Sequence, residues 1–183
     1  LERIITLNLA DIDTKKFTRE VQEALDNGGV DAAIELCANT RGPVASVFQA
    51  GLLRAEEGLD AAEKAISTFG SIEMSFLEKG LVWLSLFIAT APLLGFLGTV
   101  VGMIEAFDAI QAAADISPSL VAEGIKIALL TTAGGLLAGI ILQVGYNYCV
   151  SKIDGMIAEM EESSVALIDS LAIMKQGKKI LAD

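Results

Sequence analysis

Two stretches of this chain, Gly80 to Ile104 and Ile127 to Ser151, contain no Asp, Glu, Lys, Arg or His. Each is about 25 residues long, enough for a helix rising 1.5 Å per residue to cross a hydrocarbon layer of about 30 Å. Buried core helices of soluble domains are usually shorter. Two such runs joined by about 22 residues predict a hairpin that crosses a membrane and returns. Hydrophobic residues make up 53% of the 183 residues and the mean hydropathy is +0.57, more than a soluble domain of this size carries. The excess sits in the two runs, and the rest is polar, acidic and rich in Ala, Glu, Asp and Lys. The expected fold class is therefore all-α: an integral membrane protein with two long transmembrane helices that extend into a helical cytoplasmic domain.

The remaining composition narrows the function classes. A net charge of −11 argues against a nucleic-acid surface, because phosphate binding needs clustered Lys and Arg. The chain has no histidine, which removes the commonest general base, the usual zinc ligand and any Ser-His-Asp or Cys-His device. Cys37 and Cys149 lie far apart in segments of different polarity and read as two reduced, buried thiols. The acids Asp108, Asp115 and Glu123 lack metal-motif spacing. No catalytic residue, metal site or cofactor is assigned, and the chain does not read as an enzyme.

Flanking charges orient the hairpin. Lys79 precedes the first run and Lys152 follows the second, while the connection carries Glu105, Asp108, Asp115 and Glu123 against Lys126 alone. By the positive-inside bias the connection faces outward and both ends, including Lys175, Lys178 and Lys179, are cytoplasmic. The division expected is a cytoplasmic helical domain over 1–79 and a transmembrane helix over 80–104. A periplasmic loop and helix start over 105–126 follow, then a transmembrane helix over 127–151 and a cytoplasmic helix over 152–183.

Within the first segment, Phe17, Val21 and Leu25 share a helical face before Gly28-Gly29 stops the helix, and Gly42-Pro43 opens the next. From about Asp60 the pattern runs without a break into the first apolar run, predicting one long helix with Pro92 as its kink point. Ser117-Pro118 matches a helix start, with Ser as cap and Pro at the first position. No proline follows it, so the second helix is predicted to continue far beyond the membrane. There Ile153, Ile157, Met160, Leu167, Leu171 and Met174, with Ser164 at the skipped place, form a packing stripe.

Small and hydroxylic residues mark one side of each apolar run. At 100° per residue Gly95, Gly98, Thr99 and Gly102 fall within about 100° of arc, a face bare enough for close helix approach. Thr131, Thr132, Gly135, Gly139 and Tyr146 likewise occupy about 100° of arc, with Gln143 and Asn147 further along the helix. Each feature has a plain explanation, helix packing for the glycines and back-bonding to the helix for the threonines. Their joint placement points to a lined interface or pore. A proton path across a bilayer needs a titratable group at depth, and neither run has one. If the chain conducts protons, another chain must supply the carboxylate beside the threonines.

The stretch Ala91-Pro92-Leu93-Leu94-Gly95-Phe96-Leu97-Gly98-Thr99-Val100 through Phe107, with Ala122 through Asn147, resembles the MotA/TolQ/ExbB proton-channel family, most closely its ExbB/TolQ branch. Arg41-Gly42-Pro43 and the helices around it also look like that branch's cytoplasmic domain. The resemblance implies a homo-oligomeric ring, expected to be a pentamer, in a bacterial inner membrane around an ExbD/TolR-like dimer of single-span chains that carries the proton-binding Asp. It matches Thr99 and Thr132 to the family's pore threonines, and Thr131 stands beside them as a pore-lining candidate. It implies protons as the transported ion, with Na⁺ left open, and a TonB-like or TolA-like client. Family members carry a further N-terminal membrane helix, which would lie before Leu1.

One departure is visible. The branch reads Gly-Ile-Ala-Glu-Ala-Leu on the return helix, where this chain reads Gly124-Ile125-Lys126-Ile127-Ala128-Leu129. Ile127 therefore takes the place of the family's acidic residue, whose role does not carry over. Glu105 and Glu123 are candidate acids for an outer mouth. The function expected is the channel-forming subunit of a proton-motive-force-driven motor that energises a periplasmic or outer-membrane process. A flagellar-type stator subunit and a non-conducting membrane scaffold remain alternatives, separable by conductance with a partner.

Overall fold

The computed structural model describes residues 2–10, 12–113 and 118–180, and among these every regular element is helical. In order they are α1 (Glu2–Ala10), α2 (Thr14–Asn39), α3 (Pro43–Leu53), a 3₁₀ turn at Ala55–Glu57, α4 (Leu59–Glu78), α5 (Leu81–Ala113) and α6 (Pro118–Ile180). They form two compact units: α1–α4 with α6 from Cys149 onward, and α5 with α6 up to Tyr148.

The first unit follows from local signals. Asp13 caps α2, its carboxylate accepting from Lys16 N at 3.0 Å. Helical backbone breaks inside α2 at Gly29, whose φ of 75° is costly for any residue with a Cβ, so the expected stop at Gly28-Gly29 appears as a break between two helical segments. Gly42 and Pro43 open α3 as expected, with Pro at the first position where a missing N–H costs nothing. Phe17, Val21 and Leu25 pack with Val44, Val47, Phe48 and Leu52 of α3, Ile66 of α4, and Met160, Leu167 and Leu171 of α6. Of the predicted stripe on α6, Ile153, Met160, Leu167 and Leu171 are buried and Ile157 and Met174 half-buried, with Met156 more fully covered than Ile157. Side-chain bonds tie α6 to α2 at the edge of this core, Thr14 Oγ1 donating to Glu159 Oε2 at 2.7 Å and Gln22 Nε2 to Ser170 Oγ at 3.2 Å.

Both cysteines are buried and unpaired with each other. Burial in the core of the first unit pushes the Cys37 thiol up to about 11, because desolvation disfavours the thiolate. At pH 8 roughly one molecule in a thousand then carries the reactive thiolate. Labelling of Cys37 by a thiol-specific reagent at pH 8 is expected to run at least about a hundredfold slower than that of a free cysteine, and to reach the free rate in denaturant. Equal rates before and after unfolding would show that the site is open.

One expectation is corrected. The helix begun near Asp60 does not run on into the apolar segment: α4 ends at Glu78, Lys79 is extended (φ −54°, ψ 126°), and Gly80 turns left-handed at φ 89°. Lys79 N–H bonds back to Phe76 O at 3.3 Å, and Trp83 N–H bonds to Gly80 O at 3.2 Å as α5 starts. A glycine just past the last helical turn is a helix stop because it enters this region without a Cβ clash. Arg3 of α1 completes the end of α4, its guanidinium donating to the Phe76 and Leu77 carbonyls. Pro92 lies inside α5 without ending it.

In the second unit α5 and α6 are long and apolar enough to cross a membrane, and most of their large side chains, from Leu93 to Phe107 and from Leu129 to Val144, are exposed on the chain's surface. Helix also occupies residues 105–113 and 118–126, most of the segment expected to connect the runs. Asp115 and the expected cap Ser117 lie outside the described residues.

Candidate functional site

The hydroxyl-bearing centre is built where α5 meets α6. Contacts pair Pro92 with Gly139, Gly95 with Thr132 and Gly135, Gly98 with Thr131, Gly102 with Ala128, and Ala106 with Gly124, so the two helices run antiparallel. Glycine is what permits this approach. A Cβ added at Gly98 would lie 2.6 Å from Thr131 Oγ1, and one at Gly95 would lie 2.9 Å from Thr131 O and 3.2 Å from Gly135 Cα. Backbone therefore meets backbone over several turns, the packing that membrane helices use in place of a hydrophobic driving force.

This close seam brings three hydroxyls and two carbonyls together. Thr132 Oγ1 lies 3.2 Å from Gly95 O, and Thr99 Oγ1 lies 3.1 Å from Ala128 O, each across the helix pair. The Thr99 and Thr132 hydroxyls also share a hydrogen bond. Thr131 Oγ1 bonds within its own helix to Ala128 O at 2.8 Å and lies 3.4 Å from Gly95 O. A hydroxyl carries one proton and two lone pairs. If Thr99 donates to Thr132, Thr132 to Gly95 O and Thr131 to Ala128 O, every proton is used and lone pairs are left over. Chemically, the set can accept a hydrogen bond from an incoming acid or hold a hydrated cation.

Each predicted residue can now be placed. Thr99 and Thr132 are half-buried and Thr131 is exposed, all in one cluster with Gly95. Gly98, Gly102, Gly135 and Gly139 lie along the seam. Tyr146 is half-buried and outside the hydroxyl set, and Glu105 and Glu123 are exposed and outside it too. Among the described residues no group of three or more His, Cys, Asp or Glu side chains is placed to hold a metal. Sequence reasoning overlooked Gly124 and Ala128 as seam residues and the Gly95 and Ala128 carbonyls as acceptors. The spacing Gly124, Ala128, Thr131, Gly135 was the signal, small residues at every third or fourth position.

A model of the MotA/TolQ/ExbB proton channel family matches residues 39–162, which contain the whole seam. The chain is 33% identical to a biopolymer transport protein ExbB homolog of Methanothermobacter thermautotrophicus over 88% of its own length and 57% of the relative's. It is 38% identical to the biopolymer transport protein exbB1 of Vibrio cholerae, over 47% of this chain and 38% of that one. With the Tol-Pal system protein TolQ of Pseudomonas aeruginosa the identity is 32%, over 57% of this chain and 50% of that one. The chain thus spans little more than half the length of these relatives, or less. With most of its length and its entire helix seam matched, the chain belongs to the MotA/TolQ/ExbB proton channel family.

Proposed function

We propose that this chain is the channel-forming subunit of a proton-motive-force-driven motor, a multi-pass protein of a bacterial inner membrane. Copies assemble into a ring, pentameric by analogy with the family, around an ExbD/TolR-like dimer of single-span helices. Proton flow past the partner's membrane carboxylate drives relative movement of ring and partner, which reaches a TonB-like or TolA-like client. The family is one of channels rather than enzymes, and no bond-making step is assigned to this chain.

The observation that carries the reading is the Thr99–Thr132 pair, hydroxyls joined across two helices whose apolar runs hold no charged side chain. A hydroxyl cluster with spare lone pairs lets a carboxyl group titrate at depth, since it can bond to both the protonated acid and a hydrated ion. It does not itself change charge. The carboxylate must then come from the partner.

The test is ion flux in liposomes holding this protein co-purified with its single-span partner, compared with an Asp→Asn change in the partner's membrane helix. Loss of flux with that one carboxylate is the expected result. An intact complex that conducts in neither form would turn the assignment to a scaffold.

A further inference from the structure

Between Lys79 and Lys152 the sequence carries a single cation, Lys126, directly before the return run opens at Ile127. It is exposed, and among the described residues it has no ion-pair or hydrogen-bond partner. Glu123, one turn earlier on the same helix, makes no ion pair with it. Asp108, near the end of α5, is exposed and unpaired in the same way. A charge at the edge of hydrocarbon that gives up water without gaining a partner is costly.

Both charges lie on the sides that the two helices turn away from each other. Lys126 stands two residues from Gly124 and two from Ala128, which pack on Ala106 and Gly102 of α5, so at 100° per residue it lies about 160° round from each. Asp108 stands two residues after Ala106 and six after Gly102, about 160° and about 120° round from them. Leu130, Leu137 and Val144 fall within about 40° of Lys126, and Leu97, Val101 and Ile104 within about 40° of Asp108, all of them exposed. The acids Glu123 and Glu105 lie about 60° to one side of Lys126 and Asp108 respectively. Because Gly124 sits against Ala106, Lys126 and Asp108 differ in depth by only about 6 Å, within the combined reach of the two side chains. An open hollow of about 660 Å³ beside Lys126, lined by Ala122, Ile125, Leu129 and Leu130, leaves room for a side chain from an adjoining helix.

One hairpin thus carries a cation on one apolar edge and an acid on the other, at nearly matching depth. We propose that Lys126 of each copy pairs with Asp108 of the next, and that this pair fixes how neighbouring hairpins join. The inference rests on the ring reading. Opposite charges on opposite edges favour head-to-tail contact, which can close into a ring, and oppose a two-fold contact that would set Lys126 against Lys126. Lipid tails are as apolar as leucine, so an apolar neighbour asks nothing of Leu137 or Val144 that lipid does not. The charges, and not the apolar side chains, then decide which edges meet.

Two readouts test it on the full complex with the single-span partner. Lys126→Cys/Asp108→Cys is treated with a short bifunctional methanethiosulfonate and run on a denaturing gel, with each single variant as the control for Cys37 and Cys149. The double variant is expected to give a ladder of linked copies and the single variants none, because head-to-tail contact never sets identical positions face to face. Lys126→Glu and Asp108→Lys are each expected to lower the ring fraction on dilution in detergent, read by native mass spectrometry, at least about tenfold, and the Lys126→Glu/Asp108→Lys exchange to restore it. An intact ring whose double-cysteine variant yields no linked copies, or reversals that leave the ring fraction unchanged, would overturn the pairing and leave Lys126 to lipid headgroups. Linked dimers of Lys126→Cys alone would overturn it in favour of a two-fold contact. If the wild-type complex forms no ring, the ring reading itself falls and takes the pairing with it.

Discussion

Valine in place of Thr99 or of Thr132 is expected to abolish ion flux and energy coupling while the complex still assembles. The exchange trades a hydroxyl for a methyl of nearly the same volume, so the Gly95 and Gly98 contacts that hold α5 on α6 are kept. Either change removes the link between the two hydroxyls, and Thr132→Val also removes the bond from Thr132 Oγ1 to Gly95 O at 3.2 Å. Measured hydrogen bonds between membrane helices average about 0.6 kcal/mol, too little to unfold the pair. The loss falls on the ion, which meets an apolar wall where it had acceptors. Collapse of an imposed pH gradient in liposomes should slow by at least about a hundredfold in both variants, a barrier increase of about 2.7 kcal/mol. Thr131→Val should do less, because that hydroxyl bonds mainly within its own helix at 2.8 Å. Wild-type flux in both Thr99→Val and Thr132→Val would remove the threonines from the path.

Leucine at Gly135 is expected to have one of the largest structural effects of any single change in the second unit. A Cβ there would lie 2.6 Å from Ala91 O and 2.9 Å from Gly95 Cα, both backbone atoms that no rotamer change can move. Overpacking a tight contact commonly costs about 1–3 kcal/mol, and a clash with backbone on the opposing helix belongs at or above the top of that range. The helices must separate, and the bond from Thr132 to Gly95 O stretches with them. Gly134→Leu is the matched control, since nothing lies within 4 Å of a Cβ at that position. Thermal unfolding of the complex in detergent should drop sharply for Gly135→Leu and stay near wild type for Gly134→Leu. Equal melting of the two variants would contradict the seam described here.

Much of this architecture was legible in the residues. Charge-free runs of membrane length, the glycine faces and the α6 stripe all express periodicities that packing then obeys, so the fold class and the threonine cluster emerged together. The end of α4 was harder. Apolar residues continue at helical spacing through Phe76, Leu77, Leu81 and Leu84, and that pattern masks the break. Only Lys79-Gly80, a basic residue followed by glycine, marked it, and the Arg3 guanidinium over the last carbonyls is a contact between residues more than seventy positions apart that no local pattern encodes. The acceptors of the site were hidden for a different reason. Gly95 O and Ala128 O are backbone atoms, and their availability depends on how closely two helices approach rather than on which side chains they carry.

The seam between α5 and α6 also sets how this protein can vary. On one side a single carbon atom added at Gly95, Gly98 or Gly135 collides with its neighbour, while across the helix Leu137, Ile141 and Val144 are exposed and answerable only to being apolar. Substitution should therefore be purged along that narrow line and be tolerated at the exposed positions opposite it wherever the replacement stays apolar. Divergent copies of such a chain would drift apart in their greasy exterior and remain alike in a thread of residues defined by having almost no side chain.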